Sequence, residues 1–184
     1  YQRMLKMGII DKERWPLPTR ESWVQDWDTI DHKPWRIRNQ AIYAAMVDHM
    51  DQAVGNIINA LKRTKQFENT LIIYFHDNGA CPEHLSGNGW NTANNILAKA
   101  KREGKEVAVG DKYDVMMGGP LTYGSVGHNW ANAQNTPMRR YKSNVHNGGA
   151  CTPAIMHWPK GLKTKPGSIT CLLYTSPSPR DGHQ

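Results

Sequence analysis

An unbroken apolar stretch that ends in oxygen-bearing side chains constrains the fold of this chain more than any other feature. Residues 71–75 are all apolar or aromatic, and an Asp-Asn-Gly tripeptide, Asp77, Asn78 and Gly79, follows one residue later. A short run of this kind predicts a strand buried on both faces. Ligands of open α/β sheets bind beyond the carboxyl ends of strands, and carboxylate and amide oxygens suit Ca²⁺ or Mg²⁺. The same tripeptide would also serve as a polar turn that closes the strand, so both interpretations stay open here.

A long amphipathic helix is predicted immediately before this strand. It begins at Asn39, continues for about six turns and ends at the basic run of residues 62–65, where positive charge favours a helix C-terminus. A helix followed by a buried strand is half of a βαβ unit, so the predicted fold class is α/β. The apolar positions at helical spacing are Ile42, Tyr43, Met46, Val47, Met50, Val54, Ile57, Ile58 and Leu61.

The rest of the chain gives weaker signals. Residues 1–38 are rich in tryptophan and proline and are predicted to be irregular, wrapping over the edge of a core. Residues 80–122 form a long Gly- and Asn-rich connection with a helix predicted at 95–104, and a loop of this length beside a strand end is typical of functional loops. Residues 130–140 are predicted to be extended, and 154–156 to form a second strand.

Composition narrows the classes of partner. The chain has 184 residues, enough for a domain with its own core, a net charge of +7 and a pI near 9.4. Its basic residues are dispersed rather than gathered in one run, which favours a sulfated or phosphorylated substrate over nucleic acid. No window approaches the roughly 18 apolar residues of a spanning helix, so no membrane partner is predicted. Three cysteines show neither metal-ligand spacing nor a disulfide framework.

Three motifs in order resemble the sulfatase family, in its arylsulfatase branch. They are residues 43–55, residues 75–79 and residues 130–142, and the last motif continues through 145–149 and 152–159. One such motif alone would be weak evidence, whereas three in this order and at this spacing make the resemblance specific.

The resemblance implies a fold, a reaction and a set of site residues. The fold is a partial α/β/α sandwich of the alkaline-phosphatase-like type, and the reaction is hydrolysis of sulfate esters by a formylglycine nucleophile. Asp77 and Asn78 match one half of the family's Ca²⁺ site, with Mg²⁺ less favoured, and Lys142 matches its sulfate-binding lysine. A cation and an ammonium at these positions stabilise the charge that develops as the ester bond breaks.

The residue beside Asp77 also discriminates between reactions. Two-zinc phosphatases of the same superfamily usually place a histidine there, because imidazole suits Zn²⁺. Asn78 instead supplies an amide oxygen, which favours a single hard cation and therefore a sulfatase.

Several positions depart from the family pattern. The Cys-x-Pro-x-Arg nucleophile motif is absent, and residues 151–153, Cys-Thr-Pro, imitate its beginning without the arginine. His146 and Asn147 stand where the family usually has His-Glu, and His76 where it commonly has serine. No catalytic role is predicted for His76, His128 or His146.

Residues 1–170 are therefore predicted to be the central-to-late part of a sulfatase catalytic domain, with the nucleophile outside the chain and the chain alone inactive. Residues 171–184 resemble a translated sequencing adapter and are predicted to be a non-native tail. The expected substrate is a sulfated small molecule or a sulfated polysaccharide, and the resemblance implies a periplasmic or secreted enzyme.

Two alternatives remain at this point. One is a phosphodiesterase or phosphonate hydrolase of the same superfamily, which would use a plain Thr or Ser nucleophile. The other is a non-catalytic module that binds sulfated polysaccharide through Lys and Arg, with binding that weakens steeply as salt is added.

Overall fold

The computed structural model describes residues 1–85 and 91–169, so the tail predicted at 171–184 lies outside the described residues. This part of the chain contains both helices and short strands, which is consistent with the predicted α/β class. The strands form two sheets of two strands each, and the α/β/α sandwich stays a prediction. The elements in chain order are α1 (Gln2–Lys6), α2 (Lys33–Arg63), a 3₁₀ helix (Phe67–Asn69), β1 (Ile72–Phe75), α3 (Asn91–Arg102), β2 (Ala108–Val109), β3 (Thr122–Tyr123), α4 (Gly127–Gln134), α5 (Asn147–Ala150) and β4 (Ala154–His157).

Helix α2 confirms the predicted amphipathic helix and extends it at the N-terminal end. It has 31 residues and begins at Lys33, six residues before the predicted start at Asn39. Pro34 lies in the first turn, where its missing N–H costs no hydrogen bond and its fixed φ suits a helix. Residues 33–38 belong to this helix but were predicted to be irregular, because the proline and tryptophan residues around them hide the helical period.

The first two turns of α2 are anchored by side-chain hydrogen bonds to distant carbonyl oxygens. The buried Trp35 donates through Nε1 to the Val115 oxygen (3.0 Å), and the buried Asn39 donates through Nδ2 to the Ser125 oxygen (2.9 Å). In the opposite direction, Trp130 of α4 donates through Nε1 to the carbonyl oxygen of Arg36 (2.9 Å). These bonds fix this end of the helix against the segment that leads into α4.

Strands β1 and β4 form an antiparallel pair in which Ile72 lies opposite His157 and Phe75 opposite Ala154. The prediction that β1 is buried on both faces is wrong. Its side chains alternate: Ile72 and Tyr74 are half-buried, whereas Ile73 and Phe75 are exposed, and the Tyr74 hydroxyl contacts Met50 of α2. Within the described residues, only one face and one edge of β1 are covered. Its apolar side chains on the other face therefore stay exposed.

The prediction of extended structure at residues 130–140 is also wrong in its first half, where α4 runs from Gly127 to Gln134. Asparagine and alanine give this segment no clear apolar period, so its helicity depends on tertiary contacts. Ala131 is fully buried, and Gln134 donates to the Gln40 side chain of α2 (3.0 Å). The strand predicted at 154–156 is confirmed as β4.

No helix in the described part of the chain is long and apolar enough to cross a membrane.

Candidate active site

The segment that follows β1 meets the short helix α5, which precedes β4, and Gly79 lies at the contact. Its N–H donates to the Gly149 carbonyl oxygen (3.2 Å), and a Cβ at position 79 would collide with the Gly148 carbonyl oxygen. Only glycine allows the two backbones to approach this closely. Asp77 and Asn78 are consequently held at the start of this contact.

Asn135 joins three segments at the same place. Its side-chain oxygen accepts from the Ala80 N–H (3.0 Å), while its Nδ2 donates to the carbonyl oxygens of Arg140 (2.9 Å) and Gly148 (2.6 Å). One amide side chain thus connects the end of β1, the end of α4 and the loop before α5. Three bonds from one partly buried amide make this a rigid junction.

Lys142 lies in a loop with an unusual backbone. Arg140 and Ser143, on either side of it, have φ values of 64° and 70°, a left-handed conformation that non-glycine residues adopt uncommonly. The loop is tied to β1 by the Lys142 N–H, which donates to the Ala80 carbonyl oxygen (3.1 Å), and internally by Asn144, whose Nδ2 donates to the Tyr141 oxygen (3.0 Å). Such conformations persist where the surroundings enforce them, and they cluster at functional sites.

The Lys142 ammonium is paired with a glutamate that sequence reasoning missed. Its Nζ lies 3.2 Å from Oε1 and 3.3 Å from Oε2 of Glu83, and the Cys81 thiol also donates to Glu83 (2.9 Å). The hydrogen bond that Lys142 donates to Glu83 raises the pKa of Lys142, and the Asp77 carboxylate adds a smaller contribution in the same direction. Burial raises the pKa of the Cys81 thiol, which makes it a poor nucleophile.

The three residues that the sequence singled out therefore share one end of β1. Asp77 and Asn78 follow the strand directly, and the loop of Lys142 is bonded to Ala80, three residues beyond Asp77. Glu83 had no signal of its own, because the 59 residues that separate it from Lys142 hide the pair.

Asp77 and Asn78 have oxygens available for a cation. Asn78 donates through Nδ2 to the Gly79 carbonyl oxygen (2.8 Å), which leaves its Oδ1 free to accept, and the hydrogen bonds of the described residues leave both carboxylate oxygens of Asp77 unused. No group of three or more His, Cys, Asp or Glu side chains within residues 1–85 and 91–169 is arranged to hold a metal. This pair fits part of a hard-cation site rather than a complete one.

A series of side-chain contacts that includes His84 and His128 lies next to Glu83, and the sequence did not predict it. The His84 Nδ1 lies 2.5 Å from Oδ2 of Asp111, and this hydrogen bond raises the pKa of His84. The ring of His84 contacts the ring of His128 at 4.8 Å, and His128 Nδ1 lies 2.8 Å from the Tyr141 hydroxyl. Burial, with the His84 charge second, lowers the pKa of His128.

Tyr141, the residue before Lys142, joins His128 to the N-terminal segment. Trp23 donates through Nε1 to the Tyr141 hydroxyl oxygen (2.9 Å), and the same hydroxyl lies 2.8 Å from His128 Nδ1. Because burial lowers the pKa of His128, the environment favours its neutral ring, which can accept the hydroxyl hydrogen through Nδ1.

His76 and His146, for which no catalytic role was predicted, lie at the edges of the candidate site. His76 Nε2 is 3.0 Å from the Tyr74 hydroxyl on the exposed end of β1. The carbonyl oxygen of His146 accepts the N–H groups of Gly149 (2.8 Å) and Ala150 (3.1 Å), which closes the loop onto α5.

Comparison with known families decides the relationship. The model of the family described as Sulfatase matches residues 12–175. The chain belongs to the sulfatase family. The matched segment contains every residue of the candidate site and most of the described structure.

Individual sulfatases are similar over most of this chain but extend well beyond it. An uncharacterised sulfatase of Schizosaccharomyces pombe is 29% identical over 164 residues, 88% of this chain and 28% of that protein. An arylsulfatase of Klebsiella aerogenes is 27% identical over 165 residues, 85% of this chain and 32% of that protein. Mouse arylsulfatase J is 42% identical over 52 residues, 28% of this chain and 8% of that protein. The chain spans less than a third of the length of the yeast and Klebsiella sulfatases.

Proposed function

We propose that this chain forms part of the active site of a sulfuric ester hydrolase of the arylsulfatase type. The observation that supports the proposal is the hydrogen bond from the Lys142 N–H to the Ala80 carbonyl oxygen (3.1 Å), which ties the Lys142 loop to the segment that follows Asp77 and Asn78. The motif match of these three residues and the arylsulfatase among the relatives support the same reaction.

In this proposal Asp77 and Asn78 hold Ca²⁺ through side-chain oxygens, with Mg²⁺ less favoured. The bound cation would neutralise charge on the sulfate oxygens. Lys142 also binds the sulfate group in this proposal, and its ammonium favours the transition state because negative charge shifts onto the transferred group and the leaving oxygen. A formylglycine outside these 184 residues is proposed as the nucleophile.

Glu83 gives Lys142 its orientation. Its two oxygens, within 3.3 Å of Nζ, hold the ammonium in place before substrate arrives. An ammonium that is already positioned loses little freedom when an anion binds, so more of its interaction energy is available for stabilising the reacting group.

The substrate is proposed to be a sulfated small molecule or a sulfated polysaccharide, in a periplasmic or secreted enzyme. No nucleic-acid or membrane partner is proposed.

Calcium and sulfate titrations of the purified chain test the two halves of the site. In calorimetric titration with CaCl₂, Asp77→Asn should weaken binding by about tenfold or more, because it removes a charged ligand. Asp51→Asn, an exposed carboxylate on α2, is the matched control and should leave the affinity unchanged. Equal loss from both variants would contradict the assignment of Asp77.

With methyl sulfate as the probe, Lys142→Ala should weaken binding, whereas Lys62→Ala at the end of α2 should not. The purified 184-residue chain should not hydrolyse an aryl sulfate. Turnover would overturn the placement of the nucleophile outside it.

A further inference from the structure

A cleft of about 430 Å³ opens beside the Lys142 loop, between the N-terminal segment of residues 14–18 and residues 137–147. Its lining, as far as the described residues define it, contains no acidic side chain. The lining residues that matter for the argument are Arg14, Trp15, Pro16, Pro137, Arg139 and His146.

The cleft carries positive charge. Arg14 is exposed, and in the described part of the chain no carboxylate is ion-paired with its guanidinium. Arg139 donates to the buried Glu21 through Nε (2.6 Å) and Nη2 (3.4 Å), but 55% of its side chain remains exposed and its Nη1 group is open to a ligand. The guanidinium of Arg14 keeps its whole fork of donors, which matches the oxygens of a sulfate or carboxylate.

The cleft also offers flat apolar surfaces. The Trp15 ring and the rings of Pro16 and Pro137 line the same space as the two arginines. A turn fixes the tryptophan, because the Asp11 carboxylate accepts the N–H groups of Glu13 (2.7 Å) and Arg14 (3.1 Å). A sugar ring presents an apolar CH face and polar edges, and an aromatic ring beside charged donors accommodates both.

The cleft lies within reach of the proposed sulfate site. Arg139 and Lys142 are three residues apart, so their Cα atoms are separated by at most about 11 Å. The Gly148 N–H donates to the Arg139 carbonyl oxygen (2.9 Å), and this bond closes the loop of residues 139–148, which contains Lys142. The ammonium of Lys142 faces Glu83 and is absent from the cleft lining, so the loop separates two adjoining sites.

We propose that this cleft is a subsite for a sugar unit next to the one whose sulfate Lys142 holds, so that the ligand is a sulfated oligosaccharide rather than an isolated aryl sulfate. Trp15 packs against the sugar ring, and Arg14 and Arg139 bind its anionic substituents. The inference rests on the proposed function, because it takes the Lys142 site as the place of the sulfate that would be cleaved.

The test compares two probes on the purified 184-residue chain by calorimetry in calcium-containing buffer. The first probe is a heparin-derived tetrasaccharide of defined sulfation, with its chemically desulfated form alongside, and the second is methyl sulfate. Arg14→Ala should weaken tetrasaccharide binding by about fivefold, the upper end for a solvent-exposed charge contact. Arg14→Glu should weaken it further, and neither variant should change methyl sulfate binding.

Arg63→Ala is the matched control, because it removes an arginine at the end of α2 and lines no part of the cleft. Trp15→Ala should also weaken tetrasaccharide binding. If circular dichroism shows that this variant is unfolded, the test rests on Arg14→Ala and Arg14→Glu, because Arg14 is exposed and its substitution leaves the fold intact. Lys142→Ala should weaken both probes.

Three outcomes would overturn the subsite: tetrasaccharide binding no tighter than methyl sulfate, equal losses from Arg14→Ala and Arg63→Ala, or undiminished binding of the desulfated form. Unchanged methyl sulfate binding in Lys142→Ala would instead overturn the proposed function, so the two failures are distinguishable.

Discussion

The two ends of helix α2 are held in different ways. At the N-terminal end, Trp35 is 5% exposed and side-chain hydrogen bonds connect the helix to residues 115–130. From the middle of the helix to its C-terminal end the apolar face is largely uncovered by the described residues: Met46, near the middle, is 65% exposed, and Ile57 is 62% exposed. One helix with one continuous apolar stripe thus has a fixed half and a loosely held half.

The difference between the two halves indicates which part of the structure is held most firmly. The fixed half of α2 supports the segment leading to α4, and Asn135, the junction of the candidate site, directly follows the last residue of α4. The C-terminal half packs on β1, where Tyr74 contacts Met50. Regions with few buried contacts open at lower free energy, so the β1–β4 sheet should open before the polar junction beside it.

The largest expected effect comes from Trp35→Ala compared with Ile57→Ala. Trp35 is buried, donates a hydrogen bond and contacts the Tyr113 ring edge-on at 5.0 Å. Its loss should lower the free energy of unfolding by about 3–5 kcal/mol, whereas the exposed Ile57 should change it by less than about 0.5 kcal/mol. Urea denaturation of both variants measures this, and similar losses would show that the two halves do not differ.

Gly79→Ala should have the next largest effect. The added Cβ meets the Gly148 carbonyl oxygen and comes within 2.8 Å of Asn135 Nδ2, and backbone cannot yield as a flexible side chain can. The expected loss is about 1–3 kcal/mol, with weaker calcium binding because the end of β1 moves. Gly119→Ala is the control, since a Cβ there has nothing within 4 Å. A stable Gly79→Ala protein with unchanged calcium affinity would contradict the close approach.

A smaller effect depends on pH. Asp111 raises the pKa of His84 in the folded state, so the pair contributes stability below the unfolded pKa of about 6.5 and loses it as pH rises through the folded value. Because the His84 side chain is 38% exposed, we expect less than about 1 kcal/mol. Asp111→Asn should therefore destabilise the chain more at about pH 5.5 than at about pH 8.5. A pH-independent difference between the two proteins would exclude this contribution.

The smallest predicted effect is a gain. Gly55 lies inside the loosely held half of α2, and a Cβ there meets nothing within 4 Å. Gly55→Ala should raise the free energy of unfolding by about 0.5–1 kcal/mol through helix propensity alone. Thermal denaturation measures the gain, and a loss would show that this face is more closely packed than its exposure indicates.

Local patterns predicted some elements of this fold and missed others for identifiable reasons. The 3.6-residue period of α2 and the apolar runs of β1 and β4 are visible in the sequence. Helix α4 has no such period, because what holds it are a buried Ala131 and bonds to α2 from far along the chain. The burial of β1 was overestimated, since an apolar run does not reveal how many faces of a strand are covered.

The candidate site divides in the same way. Asp77, Asn78 and Lys142 were found through motif resemblance, and the fold brings them to one end of β1. Glu83 and the His84–Asp111 pair were not found, because each meets its partner 27 or 59 residues away and neither stretch has a recognisable motif. Pairings made only by the folded chain leave no periodicity to detect.

The long separation between contacting residues also affects synthesis. Trp23 bonds to Tyr141, and Glu21 to Arg139, each pair 118 residues apart. At about 5–20 residues per second, a ribosome needs roughly 6–24 s to deliver the second partner after the first. During that interval the indole N–H of Trp23 and the carboxylate of Glu21 lack the partners that they have in the folded chain, so the N-terminal segment reaches its final packing only after residue 141 has been added.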